Sequence, residues 1–191
     1  MKKVMCAVVV CLSGVLLLIS SLVVHVQPAH ADSYGWYTYP VTQYYNGYYE
    51  VGEDLATPEG TPIISLVSGQ LVGAGFYAGG GVVSVRTTLN GATADLYVKH
   101  LDSIVNVGLC QFGNCGGQTV YSGELLGYSG GDCNWHYGPG YGYFNPCAAG
   151  FSGGQHTEVG INPPWYGIWG PYPQPGPNYD PYWTILSLFN G

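Results

Sequence analysis

The sequence predicts an all-β domain built from compact antiparallel sheets, with long Gly-rich loops closed by disulfides. Its 191 residues include 31 Gly and 18 Tyr, a composition that suits short strands joined by many tight turns. Short runs of β-branched and aromatic residues alternate with turn signals from residue 61 onward. Between residues 32 and 180 no sustained 3.6-residue period appears, so little helix is expected.

The N-terminal segment has the layout of a secretory signal peptide. Two lysines precede an apolar run over residues 4–26, and Ala29-His30-Ala31 then supplies a small-x-small cleavage site. We therefore expect residues 1–31 to be removed on secretion, leaving residues 32–191 as a single extracellular domain. The apolar run is also long enough to span a bilayer, so an uncleaved anchor is the alternative.

The charge balance excludes several classes of partner. Cleavage would leave Arg86 and Lys99 as the only Lys or Arg residues, against eleven acidic residues. Nucleic-acid binding needs clustered cations, and so does an anionic membrane surface. We therefore expect no nucleic-acid partner and no membrane association after cleavage, and we expect a monomer.

The cysteines fit an exported protein. Cys6 and Cys11 lie in the leader, and four cysteines remain in the domain. Four cysteines allow three pairings. We favour the local pairing, Cys110 with Cys115 and Cys133 with Cys147, because each pair brackets a Gly-rich loop. The spacing does not match the paired C-x-x-C knuckles of a zinc ribbon.

The strands are predicted in chain order. Residues 62–67 and 70–72 are the first strands, separated by a Ser68-Gly69 turn. Residues 82–89 and 92–100 form a hairpin across Asn90-Gly91, the strongest short hairpin signal in the chain.

The second half of the chain is predicted to be looser. A strand pair is expected over 119–128 around Ser122-Gly123, then a long Gly-rich loop over 129–154 and a final strand over 157–161. A Tyr-rich segment precedes the first strand, and a Pro- and aromatic-rich tail follows the last, with a possible short helix over 182–188.

Carboxylates and imidazoles from three separate segments are the candidate functional residues. They are Glu50 and Asp54 before the first strand, His100 at the end of the hairpin, and His156 with Glu158 on the last strand. Residues 156 and 158 would share one face of that strand. A hydrolytic metal site needs three ligands, an open position for water and a nearby base.

Six segments resemble, in order, the signature of the lysostaphin/LytM-type zinc endopeptidases. In that family an H-x-G-x-D motif is followed by G-T-P-V, then by a "dG-x-V" turn, Y-x-H-L, a Gly-rich hairpin, G-P-H-x-H-F-E-V and a closing "dP" segment. The corresponding segments here are 50–63, 67–72, 97–101, 119–130, 153–159 and 180–186.

The resemblance implies a fold, a site and a substrate. The fold would be the LytM-like duplicated-hybrid-motif β-fold, with a divalent-metal groove on one sheet, and zinc would be the metal. The substrate would be the peptide cross-links of bacterial peptidoglycan, and the protein would be secreted and associated with the cell wall.

The sequence departs from the family at the ligand positions. Glu50 stands where the first zinc-binding His is expected, and the terminal H-x-H is broken, which leaves two registers. In one, His100 and His156 are catalytic and Glu50, Asp54 and Glu158 are the metal ligands, an oxygen set that favours harder cations than zinc. In the other, His156 is a ligand and Gly154 replaces the catalytic His.

Several further residues are candidates. His136, in the loop between Cys133 and Cys147, is a low-ranked ligand or base. The aromatic residues Tyr97, Trp135 and Trp165 are candidates for substrate binding. Glu53 is expected to face solvent, away from the site.

Two functions follow from the resemblance. One is a secreted, metal-dependent endopeptidase acting on peptidoglycan peptide cross-links. The other is a catalytically inactive, wall-binding or regulatory domain that kept the fold and holds no metal. The retained Asp54 and His100 favour the first, whereas Glu50 and the broken H-x-H favour the second.

Overall fold

The structure is a computed structural model that describes residues 35–43, 52–89, 91–111, 113–148 and 153–162. The chain divides into two compact units, residues 1–30 and 31–191, and all described residues belong to the second. Across these described ranges, no helix is long and apolar enough to cross a membrane. The predicted leader, the Tyr-rich residues 44–51 and the C-terminal tail lie outside them.

The predicted all-β fold is confirmed. Among the described residues, one sheet has nine strands, in which β1-β2-β11-β6-β5-β4-β7 are neighbours and β8 pairs with both β3 and β6; a second sheet is the hairpin β9-β10. All pairings are antiparallel. The strands are β1 Val41–Gln43, β2 Glu53–Leu55, β3 Pro62–Ile64, β4 Gly69–Tyr77, β5 Gly80–Leu89, β6 Ala92–Ile104, β7 Thr119–Val120, β8 Leu125–Ser129, β9 His136–Gly138, β10 Gly142–Phe144 and β11 Thr157–Asn162.

The β5–β6 hairpin is the centre of the large sheet. Its strands pair from Leu89↔Ala92 onward, as the Asn-Gly turn predicts, and Gly91 has a φ of 80°. Because side chains alternate along a strand, Leu96 and Val98 of β6 enter the apolar core on one face. The residues between and after them face the other side, where the candidate site lies.

Strand β6 is long enough to change partner along one edge. Its first part pairs with β11 and its last part pairs with β8, so that these two strands follow one another along the same side of β6. The change of partner falls at His100, which is the residue between the two pairings. The predicted site residue therefore lies at a junction in the sheet.

Three details of the predicted strands are wrong. β3 ends at Ile64, three residues early. β7 and β8 do not pair with each other, because β7 adds to β4 whereas β8 lies between β3 and β6. The predicted 129–154 loop contains the β9–β10 hairpin, since the segment alternates inward and outward side chains around a Gly-rich turn.

A short 3-10 helix, Gly35–Thr38, covers one edge of the core. Trp36 is 2% exposed, and its indole N–H donates a 3.0 Å hydrogen bond to the carbonyl of Ile64. Next to it, the Tyr37 hydroxyl donates to the Glu53 carboxylate at 2.8 Å. Glu53 faces away from the candidate site as expected, but it is fully buried rather than exposed to solvent.

The two predicted disulfides are present. Cys110 is bonded to Cys115 and Cys133 to Cys147. The second disulfide closes the segment that carries β9 and β10, so the hairpin is covalently tied at its base.

Candidate functional site

Strand register brings three charged side chains to neighbouring positions. Glu158 on β11 lies directly opposite Asp54 on β2 and directly opposite Lys99 on β6. Residues that face each other across antiparallel strands lie on the same face of the sheet. The three strands therefore present an acid, an acid and a base side by side.

A bulge in β6 adds His100 to this face. The register passes from Val82↔Lys99 to Gly81↔Leu101 and leaves His100 unmatched, and His100 has a φ of 62°. Such a left-handed residue inside a strand reverses the alternation of side chains. Lys99 and His100 consequently both reach Glu158, although they are consecutive in sequence.

The two imidazoles are oriented by backbone carbonyls. Nδ1 of His100 lies 2.7 Å from the carbonyl oxygen of Gly79, and Nδ1 of His156 lies 2.8 Å from that of Gly154. A carbonyl oxygen only accepts, so each Nδ1 carries the proton and donates. Each Nε2 is then directed at a carboxylate: His100 at Glu158 (3.5 Å) and His156 at Asp54 (3.7 Å).

These side chains form one cluster. The centroids of the His100 and His156 rings are 4.5 Å apart. The cluster is largely buried: the side chain of Asp54 is 15% exposed, those of His156, Lys99 and Glu158 are 10–11% exposed, and that of His100 is 4% exposed. We call the cluster the β11 site, and its members are Asp54, Tyr97, Lys99, His100, His156 and Glu158.

Glu158 is the most heavily bonded residue of the β11 site. Its Oε1 lies 2.6 Å from Lys99 Nζ and accepts a 3.0 Å hydrogen bond from the Tyr97 hydroxyl. Burial by itself would raise the pKa of Glu158, but the Lys99 ammonium and His100 overcome that effect and lower the pKa to about 2. Glu158 is therefore ionised at every physiological pH.

Asp54 and His156 are shifted towards their neutral forms. Burial, with the charge of Glu158 adding to it, raises the pKa of Asp54 to about 7 against the opposing effect of Lys99. Burial and the nearby His100 lower the pKa of His156. Both shifts favour the uncharged side chain near neutral pH.

The residues of the β11 site do not fit the metal that the resemblance implies. Glu50 lies outside the described residues. Within the described ranges, Asp54, His156 and Glu158 are not a group whose ligand atoms all lie within 4.8 Å of one another. The Glu158 carboxylate already holds an ammonium group at 2.6 Å. A metal ion on Glu158 would have to lie beside that ammonium group or displace it.

The remaining predicted residues lie elsewhere or have other surroundings. Tyr97 is 1% exposed, so its ring is not available for stacking on a substrate. Trp135 is 67% exposed on the β9–β10 hairpin. Trp165 lies outside the described residues. His136 stands with Asp132 and Asp102 and makes no described contact with the β11 site.

His136 belongs to a second group of possible ligands. Its Nε2 is 2.5 Å from Asp132 Oδ1, its Nδ1 is 3.5 Å from Asp102 Oδ1, and its ring stacks on Phe144. The ligand atoms of Glu59, Asp132 and His136 all lie within 4.8 Å of one another. Burial raises the pKa of Asp102 to about 6, opposed by His136. The i, i+4 spacing of Asp132 and His136 was the sequence signal for this group.

Sequence analysis missed the role of Lys99. Lys99 is 8% exposed and lies 4.5 Å from the centre of the Tyr97 ring, in addition to its ion pair with Glu158. The signal was its rarity, because Lys99 and Arg86 are the only Lys or Arg residues after residue 31. Arg86 is paired separately with Asp95 at 2.7 Å.

Four exposed aromatic residues lie at the β9–β10 hairpin: Tyr137 and Tyr143 within its strands, Trp135 directly before β9 and Tyr141 directly before β10. Tyr137 and Tyr143 are opposite each other and pack edge to face, with ring centroids 5.4 Å apart. The alternating residues His136 and Phe144 point the other way, towards the body of the domain. We call this surface the aromatic face, and its members are Trp135, Tyr137, Tyr141 and Tyr143, which are 67%, 60%, 49% and 73% exposed.

The fold is that of the lysostaphin-type β-domains. Among solved structures, the chain is similar to the antimicrobial peptidase lysostaphin from Staphylococcus simulans, with 22% identity over 86% of this chain and 54% of that chain, and a TM-score of 0.52. It is also similar to the NMR solution structure of lysostaphin, with 21% identity, 86% and 55% coverage, and a TM-score of 0.53.

These similarities confirm the fold that the motif resemblance predicted. At this level of identity they establish the fold alone. The chain spans a little over half the length of the lysostaphin chains that it matches. No protein-family model matches the chain, and no curated protein matches it.

Proposed function

We propose that the protein acts at the bacterial cell wall and binds the peptides of peptidoglycan at the β11 site. The observation that carries the proposal is the convergence of Asp54, His100, His156 and Glu158 in a lysostaphin-type fold. The motif resemblance associates this arrangement with wall peptides. A chain with a formal net charge of −7 also attracts peptides that carry free amino groups.

Binding without cleavage is the form of this function that the geometry supports best. Glu158, the nearest equivalent of a metal ligand in the first register, is neutralised by Lys99 and Tyr97. Asp54 and His156, whose side chains are 15% and 11% exposed, are the groups left to hydrogen-bond a peptide. The peptide would replace contacts that Asp54 and His156 now make with each other.

The aromatic face supports contact with the glycan part of the wall. Tyrosine and tryptophan rings stack on apolar faces of ligands, and their polar tips hydrogen-bond at the edges. The face carries no charged side chain at its four positions, so it suits a neutral sugar better than an ionised group. Trp135, a predicted substrate-binding residue, is part of it.

A metal-dependent endopeptidase is the second candidate, and one observation favours it. His100 and His156 have rings 4.5 Å apart, each with Nδ1 protonated and Nε2 directed at an acid. Two such imidazoles can take and return a proton during hydrolysis. The misfit of the metal described above opposes this candidate.

Sedimentation with insoluble peptidoglycan tests the proposal. The purified protein is incubated with peptidoglycan sacculi, and both the bound fraction and newly released amino groups are measured, with EDTA and with added ZnCl2. We expect sedimentation that is unaffected by EDTA, and no release of amino groups. Release that depends on a metal would instead establish the endopeptidase.

Variants assign the binding to the β11 site. His156→Gln should reduce sedimentation, because it removes an imidazole of the β11 site with little change in size. Tyr121→Ala, which alters a 60% exposed side chain remote in sequence from this site, is the control. Equal sedimentation of His156→Gln and wild type would contradict the assignment to this site.

We further propose that the protein is secreted, with residues 1–31 removed, and that residues 32–191 form a single monomeric domain. The two disulfides fit an extracellular location. Intact mass of the exported protein should correspond to a chain beginning at Asp32. A mass that includes residues 4–26 would indicate a retained anchor.

A further inference from the structure

We infer that Lys99 is the resident cation of the β11 site and that the site forms and functions without a metal ion. The inference deepens the proposed function, since it assigns to this site the binding form and not the metallopeptidase form. The inference rests on the proposed function only for the identity of the ligand, a wall peptide. The assignment of Lys99 as the cation rests on the contacts between Lys99 and Glu158.

The Glu158 carboxylate needs a positive partner wherever it is buried. It is 7% exposed, and a buried carboxylate is tolerated only when it is paired and hydrogen-bonded. After the predicted cleavage, the sequence offers Arg86 and Lys99 for this purpose. Arg86 is bound through two nitrogens to Asp95, at 2.7 and 2.9 Å, so Lys99 is the cation that serves Glu158.

The neighbouring residues are arranged to hold this ion pair. The Tyr97 ring lies beneath the Lys99 ammonium and its hydroxyl donates to the same Glu158 oxygen. A side chain at Gly52 would come within 2.6 Å of Glu158 Cγ, and one at Gly160 would collide with the Tyr97 ring. Both glycines therefore leave the space that the carboxylate and the ring fill.

The same ion pair opposes metal binding. A divalent cation on Glu158 would lie beside the Lys99 ammonium, and like charges repel strongly where water is largely excluded. Displacing the ammonium would instead leave a lysine charge buried without its partner. Either arrangement has a higher free energy than the present ion pair between Lys99 and Glu158. The lysine therefore excludes a metal ion from this position.

Metal content and thermal stability test this inference. Protein expressed from the full sequence is purified without chelator, its metals are measured by mass spectrometry, and its Tm is recorded with EDTA and with ZnCl2. The variants are Lys99→Met, Lys99→Arg and Glu158→Gln. Arg86→Met is the matched control, because it removes the other Lys or Arg side chain of residues 32–191, which is partly buried, paired with Asp95 and not part of the β11 site.

We expect wild type to carry no stoichiometric metal. Its Tm should change by less than about 1 °C on addition of EDTA or ZnCl2. A true zinc site, with zinc at a hundredfold excess over Kd, would raise the Tm by about 5 °C or more. Lys99→Met should lose stability and then gain Tm with ZnCl2, because Glu158 has lost its cation. Arg86→Met should lose stability without responding to ZnCl2. The Tm of Lys99→Arg should remain insensitive to ZnCl2, because arginine keeps a cation beside Glu158. This variant keeps the test decisive if Lys99→Met does not fold.

Two results would overturn the inference. One is stoichiometric metal in wild type that is lost in Glu158→Gln. The other is a folded Lys99→Met that is no more sensitive to ZnCl2 than Arg86→Met. Zinc bound by Glu59, Asp132 and His136 is recognised separately, because His136→Gln removes it and Glu158→Gln does not, and it leaves the inference standing.

Sedimentation of the same samples separates this inference from the proposed function. A zinc-insensitive wild type that does not sediment with peptidoglycan refutes wall binding and leaves the assignment of Lys99 intact. Sedimentation that EDTA abolishes, and that Glu158→Gln also abolishes, supports wall binding and overturns the assignment of Lys99.

Discussion

Tyr97 on β6 lies across Gly160, the residue directly opposite it on β11. The ring occupies the space that a side chain at position 160 would need. From there the Tyr97 hydroxyl donates its 3.0 Å hydrogen bond to Glu158, two residues along the same strand. Because it has no side chain, Gly160 thus leaves room for the ring whose hydroxyl hydrogen-bonds the buried Glu158.

The first prediction concerns this glycine. Gly160→Ala should destabilise the protein by about 1–3 kcal/mol, because the methyl group overpacks against the Tyr97 ring. Urea unfolding of wild type and variant measures the loss. The Tyr97 hydroxyl should also lose its contact with Glu158, so the variant should sediment less with peptidoglycan.

Gly75→Ala is the matched control. Gly75 also lies within a strand, β4, but a side chain there meets nothing within 4 Å. The control should therefore be neutral or gain up to about 1 kcal/mol from the lower entropy of the unfolded chain. Equal losses of unfolding free energy in Gly160→Ala and Gly75→Ala would mean that the contact with Tyr97 is not the reason for a glycine at position 160.

The second prediction concerns the pH dependence of stability. Asp54 has a folded pKa of about 7, above its ordinary value of 3.8, so the folded state binds its proton more tightly than the unfolded state does. Its contribution to stability therefore falls as the pH rises from about 4 to about 7, by at most about 1.4 kcal/mol per pH unit. Asp54→Asn removes this contribution.

The opposite sign holds for Glu158. Its folded pKa of about 2 lies below the ordinary 4.5, so its contribution is present above pH 4.5 and is lost as the pH falls towards 2. Unfolding of wild type and Asp54→Asn at several pH values separates the contribution of Asp54 to stability from that of Glu158. The variant should gain on wild type between pH 4 and 7, and a constant difference over that range would contradict the shift at Asp54.

Local signals in the sequence were sufficient for much of the fold. The Asn90-Gly91 turn predicted the β5–β6 hairpin because a two-residue turn of this type leaves few alternatives. The disulfides followed from even number and short spacing. Alternation predicted that His156 and Glu158 share one face; β11 begins directly after His156, and its register brings Glu158 opposite Asp54.

Other features depend on contacts between distant segments, which the sequence does not display. Lys99 resembles an ordinary solvent-facing lysine until β11 is laid beside β6 and Glu158 covers it. The bulge at His100 arises where β6 changes partner from β11 to β8, and neither partner is near it in sequence. Glu53 is buried because the Tyr37 segment folds over it from 16 residues away.

The third prediction concerns the disulfides. Replacing Cys133 and Cys147 together by Ser should cost about 3 kcal/mol, because the bond closes a segment with a sequence separation of 14. The same replacement at Cys110 and Cys115, with a separation of 5, should cost about 2 kcal/mol. Urea unfolding measures both, and a larger loss at Cys110 and Cys115 would contradict the chain-entropy account.

The last prediction concerns the aromatic face, and the chain offers a close control for it. Tyr137 and Tyr121 are both 60% exposed, but Tyr137 belongs to the face whereas Tyr121 follows β7. If the face contacts the glycan strands, Tyr137→Ala should weaken sedimentation with peptidoglycan by about tenfold, the effect of losing one stacked ring worth about 1.4 kcal/mol. Tyr121→Ala should leave it unchanged, and neither substitution should alter stability by more than about 0.5 kcal/mol, since both side chains are exposed.

Sedimentation with sacculi from which the peptides have been removed assigns the contact to the sugars. The difference between Tyr137→Ala and Tyr121→Ala should persist on this material, while the effect of His156→Gln should disappear. Equal behaviour of Tyr137→Ala and Tyr121→Ala on both materials would remove the aromatic face from the account of wall binding, and would leave the β11 site to carry it alone.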